Sequence, residues 1–493
     1  MGTPIRRFST ISFIVGVLVL ILGYAVYGKV IEKLFVINPG TQTPAVRIND
    51  GVDFVVIPTW KAVLIQFLNI AGTGPIFGAI AGALWGPAAF VWIVLGCIFA
   101  GAVHDYFSGM LSLRNDGATI AEIVGKYLGD IPRWIMRVFS IALLVLVGVV
   151  FVTTPAQVLD SLIPHAEGSR LVYYAALGLI IFYYIIATIL PIDQIIGRVY
   201  PLFGAALLIM GAGITIMLFV TGEMAQVPEF AFKNLHPKGM HLFPFLFISI
   251  ACGAISGFHA TQSPLMARCI KSEKDGRTVF YGAMIIEGVV AMIWAAAAMA
   301  HFGGQEGLAN AGAAAVVVKK VSIDLMGPVG GVLAVLGVVA CPITSGDTAF
   351  RSARLAIADI RKFDQKPIKN RFVIALPLFT AGFALVLFAI ASTANFNMIW
   401  RYFAWSNQTL AAIALWAASA YLAKTGKCYW ITLLPAAFMT VVVTSYIIAA
   451  PEGFRAPYRV GIIAGLAVAL TLLFLFIPLI GIKQKGLLLQ SKS

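Results

Sequence analysis

Two short stretches of this 493-residue sequence set helix-breaking and polar residues inside long apolar runs. In "IAGTGPIFG", Ile70 to Gly78, the centre reads Gly72, Thr73, Gly74 and Pro75. In "GAISGFHATQSP", Gly253 to Pro264, the matching place holds Ser256, Gly257 and His259. A helix broken inside a bilayer leaves backbone N–H and C=O groups without water or intrahelical partners, at several kcal/mol each. Half-helix N-termini then offer N–H donors and a positive dipole end to an anion, and unwound carbonyls can hold a cation. A small carboxylate fits those donors best. Gln66 and Asn69, one to two turns before the first break, are further polar candidates for substrate contact.

A second set of residues could bind an ion or a proton. Thr344 and Ser345 are adjacent hydroxyls in "CPITSGDTAFRSAR". With carbonyls near Ala71 and Gly74 they make an all-oxygen site suited to a hard monovalent cation, the only metal the sequence suggests. Both hydroxyls could instead bond back to the preceding helical turn. Asp347 lies near the same place, four residues before Arg351, at the spacing of a helical ion pair or a titrating carboxylate. His104 and Asp105 in "GAVHDYFSG" point about 100° apart on a helix, which argues against a direct His–Asp contact and for one facing the bundle and the other its cytoplasmic rim. Glu287 in "MIIEGVVAMIW" is the most isolated acid in any apolar run, free to turn toward a buried arginine, a backbone group or a coupling proton.

These residues need membrane helices to position them. Apolar residues make up 60% of the chain, charged residues 11%, and mean hydropathy is +0.93, far outside the range of soluble domains. Apolar runs fall at about 8–28, 60–85, 86–113, 133–158, 170–191, 197–221, 242–266, 276–302, 327–350, 371–392, 398–423, 428–450 and 458–482. Each is long enough for a spanning helix rather than a barrel strand. The first follows Arg6 and Arg7 but is too long for a signal peptide and lacks a cleavage motif. Of the 35 basic residues, 25 fall on the side reached after the odd-numbered runs and 10 on the other. The positive-inside rule therefore places the N-terminus outside and the C-terminus in the cytoplasm, although Arg6 and Arg7 alone argue the reverse. Because topology explains the net charge of +14, nucleic acid is not an expected partner; the lipid bilayer is.

The two breaks lie in the second and seventh runs, so five runs begin with each. An odd number per unit forces the second to enter from the opposite face, the arrangement of an inverted repeat with its site at the midplane. The expected organisation is an extra helix and loop at 1–59, a first five-helix repeat at 60–221, an inverted repeat at 242–423, and two further helices with a cytoplasmic tail at 428–493. No Walker A or HExxH motif, CxxC pair or histidine cluster points to an enzyme or a zinc site.

Four stretches resemble the carbon starvation protein A (CstA) family: Asn38 to Gly78, Trp92 to Ile123, Gly257 to Arg277 and Pro342 to Asp359. The resemblance implies a bacterial inner-membrane secondary transporter of peptides or pyruvate, used in the response to carbon starvation. It also implies an all-α polytopic protein of about thirteen transmembrane helices with a LeuT-like (APC superfamily) five-plus-five core and two discontinuous helices. By motif, Gly72 to Pro75, Ser256, Gly257 and His259 fall at the breaks, and Thr344, Ser345 and Asp347 on the ninth run. Many members carry His-His-Phe where this chain reads Ile65-Gln66-Phe67, so any role of those histidines has no counterpart here. The chain resembles a compact subgroup with two helices beyond the core. The expected activity is import of a small carboxylate with H+ or Na+ as coupling ion and no other cofactor; the oligomeric state is not implied. A nutrient sensor is the rival reading, disfavoured by the short tail "KQKGLLLQSKS", and a facilitative channel is the other.

Overall fold

A computed structural model describes residues 10–490 other than 52–53, 167, 189–191, 231–232 and 366; Arg6 and Arg7 lie outside the described residues. Every regular element among them is helical. α1 (Ile11–Phe35) precedes a broken pair, α2 (Thr59–Ile70) and α3 (Gly74–Gly82), bent by 52° at the break. α4 (Ala88–Arg114) leads through the short amphipathic α5 (Ile120–Leu128) to α6 (Asp130–Leu162), α7 (Leu171–Ala187) and α8 (Ile192–Val220). The second broken pair is α9 (Phe245–Ser249) and α10 (Gly257–Ala267), followed by α11 (Glu273–His301). α12 (Ala314–Ala334), α13 (Ala340–Arg361), α14 (Ile368–Ala391), α15 (Thr393–Thr425), α16 (Trp430–Ala449) and α17 (Tyr458–Gln490) complete the chain.

Length and hydropathy mark nine of the described helices as able to cross a membrane, or ten with the bent pair taken as one span. The count of thirteen thus remains an expectation. α7 is shorter than that test requires, and α15 carries Asn407, Gln408 and Arg401 along its length. The ninth run differs from its expected bounds. Helix begins at Ala314 rather than at residue 327, turns sharply at Gly327 (φ 59°, ψ −147°), and continues through a π-turn to Arg361. The basic segment after residue 350 reads as a loop by charge alone, yet its first eleven residues extend the helix past the apolar run.

The two broken pairs run in opposite directions. At the start of α2, Thr59 Oγ1 donates to Asp275 Oδ1 (3.0 Å) and Ile57 N–H to Cys269 O (3.1 Å), so this end meets the end of α10. Beyond α3, Trp85 Nε1 donates to Met240 O (3.2 Å), ahead of α9. Ion pairs divide the loops into two faces. On one, Ser12 and Ile11 N–H bond Glu229, and His301 lies 3.0 Å from Glu223 and 3.1 Å from Asp324. On the other, Arg114 holds Glu273 through two bonds of 2.9 Å and also donates to Val36 O (2.8 Å) and Tyr421 Oη (3.0 Å). Its guanidinium lies 4.0 Å over the Phe35 ring. Lys427 joins this cluster by donating to Phe35 O, and burial there holds its ammonium below the usual lysine range. The residues of this second cluster lie after odd-numbered runs or, for Tyr421, at the end of one, so they share the side that the alternation assigns them.

Candidate functional site

At the first break Ala71 leaves the helix (φ −82°, ψ 53°) and Gly72 N–H turns back to Ile70 O (3.0 Å). Pro75 sits in the first turn of α3, where its missing N–H removes no helical bond. Thr73 is buried, with its hydroxyl 3.3 Å from that of Thr154 on α6. The breaks are pressed together: a Cβ on Gly74 would stand 2.3 Å from Cys252 Sγ, and one on Gly72 2.5 Å from the Phe151 ring.

At the second break the freed groups find side chains on α15. Asn407 Oδ1 accepts from Phe258 N–H (2.6 Å) and Ser256 Oγ (3.1 Å), capping the N-terminus of α10. Gln408 Nε2 donates to Phe247 O and to Ile250 O (3.5 Å), and Trp92 Nε1 reaches Ile250 O (3.3 Å). α15 approaches so closely that a Cβ on Gly257 would lie 2.3 Å from Asn407 O. The expectation that a guest satisfies the broken backbone therefore needs correcting at this break, where amides of a neighbouring helix already serve several groups. Gln66 and Asn69 differ: both are buried, and among the described residues neither atom of the Gln66 amide nor Asn69 Oδ1 has a hydrogen-bond partner.

Both hydroxyls of the expected oxygen cluster bond back to the preceding helical turn, and Ser345 also reaches the broken helix. Ser345 Oγ donates to Leu68 O (3.0 Å) and Cys341 O (3.1 Å), and Thr344 Oγ1 to Cys341 O (2.7 Å). Cys341 Sγ lies 3.2 Å from Ala71 O and 3.6 Å from Leu68 O. The carbonyls that turn toward α13 are thus those of Leu68 and Ala71. Gly74 belongs instead to the contact with Cys252. Asp347 is not part of the cluster. It stands about 200° around the helix from Ser345, pairs with Arg351 (3.7 Å) and lines a small cavity with Thr188 and Phe379.

The titratable residues give the largest departure from expectation. His104 Nδ1 lies 2.8 Å from Asp105 Oδ1, although neighbours on a helix diverge by about 100°. The Asp105 carboxylate bridges, with Oδ2 2.8 Å from His259 Nδ1 across the α4–α10 contact. The other ring nitrogen of His259 lies 3.4 Å from Glu287 Oε2 on α11. All four side chains are fully buried, so neither His104 nor Asp105 faces the cytoplasmic rim, and Glu287 meets a histidine instead of an arginine. Spacing along one helix could not reveal this chain, because three helices build it. His259, expected at the substrate, sits between two carboxyl groups.

A cavity of about 350 Å³ opens on the face that carries Arg114 and Lys427, between α5, α6, α10 and α13. Glu122, Arg137, Ser140, Thr261, Arg268 and Asp359 are among its lining. Arg137 pairs with Glu122 (2.6 Å), and Arg268 donates to Gly117 O (2.9 and 3.0 Å). Sequence reasoning missed this vestibule, having counted Arg137 and Arg268 only as topology signals.

A family profile described as carbon starvation protein CstA matches residues 9–177, 171–302 and 294–446. An uncharacterized membrane protein of Haemophilus influenzae is 45% identical over 352 residues, covering 62% of this chain and 95% of its own. A peptide transporter CstA of Campylobacter jejuni is 26% identical, covering 87% of this chain and 78% of that one. The pyruvate/proton symporter BtsT of Escherichia coli is 28% identical over 59% of this chain and 49% of its own. Among solved structures, MhsT in complex with L-phenylalanine superposes with a TM-score of 0.56 over 86% of this chain and 99% of its own, at 12% identity. A variant manganese transporter of Eremococcus coleocola gives 0.51 over 88% and 97%, also at 12%. At such identity the likeness is one of fold alone, and the fold is the LeuT-like one expected. The named relatives are transporters, in keeping with a multi-pass membrane protein that is not an enzyme. With its matched segments running from residue 9 to residue 446 along a helical membrane core, the chain belongs to the carbon starvation protein CstA family.

Proposed function

We propose that this transporter imports a small carboxylate-bearing nutrient, a short peptide or pyruvate, by symport with H+ or Na+ across the bacterial inner membrane. In this reading residues 60–221 and 242–423 are inverted repeats, and the C-terminus is cytoplasmic. The substrate lies against Gly72 to Pro75, with Gln66 and Asn69 supplying polar contacts, and no cofactor is needed beyond the coupling ion.

The observation that carries the proposal is the convergence of Leu68 O, Ala71 O and Cys341 O on Ser345 and Cys341 beside the first break. Carbonyl and hydroxyl oxygens without a carboxylate suit a hard monovalent cation. A cation there would take over the carbonyls that the Ser345 hydroxyl and Cys341 thiol now engage, fixing the bent end of α2 against α13. Substrate and ion would thus stabilise the same arrangement of the broken helix, which is what coupling requires. The relatives named as peptide transporter and pyruvate/proton symporter support the substrate class.

Counterflow separates a carrier from a channel or a sensor. Proteoliposomes preloaded with unlabelled pyruvate or dialanine are expected to take up the labelled compound faster than empty ones, with saturation. Flux that neither saturates nor responds to preloading would favour a channel, and no flux of either compound would favour a sensor.

A further inference from the structure

The buried chain His104–Asp105–His259–Glu287 brings two carboxyl groups and two imidazoles from three helices into one line. Asp105 faces one ring nitrogen of each histidine at 2.8 Å, the separation of a charge-assisted bond from an N–H donor to a carboxylate. With Nδ1 of His259 serving as that donor, its Nε2 carries a lone pair in the neutral ring and a proton only in the imidazolium. This Nε2 faces Glu287 Oε2 at 3.4 Å, and among the described residues neither it nor either oxygen of Glu287 has a hydrogen-bond partner. A neutral ring beside an ionised Glu287 would set a lone pair against a carboxylate, with the Asp105 carboxylate on the far side of the same ring. Two negative charges would then share a buried site. Neither carboxylate has a lysine or arginine at ion-pair distance among the described residues. Among the described residues, the ionisable groups within electrostatic reach of Glu287 are Asp105 and Cys97 of α4, His259 of α10, Cys252 before α10 and Cys341 of α13, and none of these except His259 can supply a positive charge.

From this geometry we propose that His259 Nε2 and Glu287 form a binding site for one proton, distinct from the oxygen cluster at Ser345, and that this proton is carried with the substrate. The proposal rests on the transport reading above and names one of its coupling ions. Asp105 and His104 are positioning residues, which hold His259 with Nε2 toward Glu287. His259 is the third residue of α10, which packs against α2 beside the break proposed to meet the substrate carboxylate. Without the proton, the added anion would be a third negative charge close to two buried ones. With it, a monoanion such as pyruvate and the proton enter as a neutral sum, while the ammonium of a zwitterionic dipeptide brings its own positive charge.

The test follows proton movement with a pH-sensitive dye trapped inside proteoliposomes while labelled pyruvate or dialanine enters. The wild type is expected to acidify the lumen in step with uptake. Glu287→Gln, which has the shape of the protonated acid but cannot titrate, is expected to reduce acidification to that of empty liposomes and to remove the pH dependence of counterflow. Glu287→Asp keeps an ionisable group one carbon shorter, and is expected to retain acidification with a displaced pH profile, so it decides the matter where Glu287→Gln does not fold. Uptake by the wild type without acidification, or acidification that persists in Glu287→Gln, overturns the proton site while leaving the transport reading in place. Absence of uptake and counterflow in the wild type overturns both.

Discussion

Asn407 shows how much of the second break depends on one amide. Its Oδ1 accepts from Phe258 N–H and Ser256 Oγ, groups that the interrupted helix cannot serve itself. Asn407→Ala leaves both without that partner in the core, at a cost of about 1–3 kcal/mol for the buried backbone donor alone. A lower midpoint of thermal unfolding in detergent is expected, and an unchanged midpoint would mean that other groups cap α10. Ser345→Ala removes one oxygen from the cluster and the hydroxyl bond to Leu68 O. If the cluster holds sodium, the concentration giving half-maximal thermal stabilisation should rise about five-fold, the worth of one such bond. No change would remove Ser345 from the site. The glycines, proline and hydroxyls at these places were legible in the sequence because membrane helices seldom concentrate helix breakers and polar groups. The partners were not, since Asn407 lies about 150 residues from the groups it serves and Asp105 about as far from His259.

At the scale of elements, hydrophobic runs and interruptions located the two broken helices and their opposite directions. They could not show where a helix outlasts its apolar run, as α13 does to Arg361. Amphipathic and charged turns satisfy their own backbone as well as apolar ones do, so charge marks the membrane boundary and not the helix end. The contact at Arg114 joins the ends of α1, α4 and α15 to the start of α11. Glu273, 2% exposed, receives the guanidinium and also Asn38 N–H (2.6 Å). Glu273→Ala is expected to cost on the order of 2 kcal/mol, because charged hydrogen bonds are lost and Arg114 keeps only weaker partners. Thermal unfolding of the variant checks this. An equal loss in Glu273→Gln, which keeps a carbonyl acceptor, would point to the charge; a smaller one would point to the hydrogen bonds.

For the whole molecule, the alternation of sides and the excess of basic residues on one face predict an orientation that can be tested without knowing the substrate. Cys428 is exposed and follows an odd-numbered run, on the face carrying Lys427 and Arg114. In a Cys269→Ser background, a membrane-impermeant maleimide is expected to label Cys428 in inverted vesicles and not in intact spheroplasts; the reverse pattern would invert the topology. The central claim is coupling of a carboxylate to a cation, and gradient-driven accumulation in proteoliposomes tests it most directly. With an inward sodium gradient or an inwardly directed pH gradient imposed separately, labelled pyruvate or dialanine is expected to rise inside above its external concentration under at least one. Thr344→Ala/Ser345→Ala is expected to lose the sodium-driven part. Uptake that stops at equal concentrations under both gradients would contradict coupling.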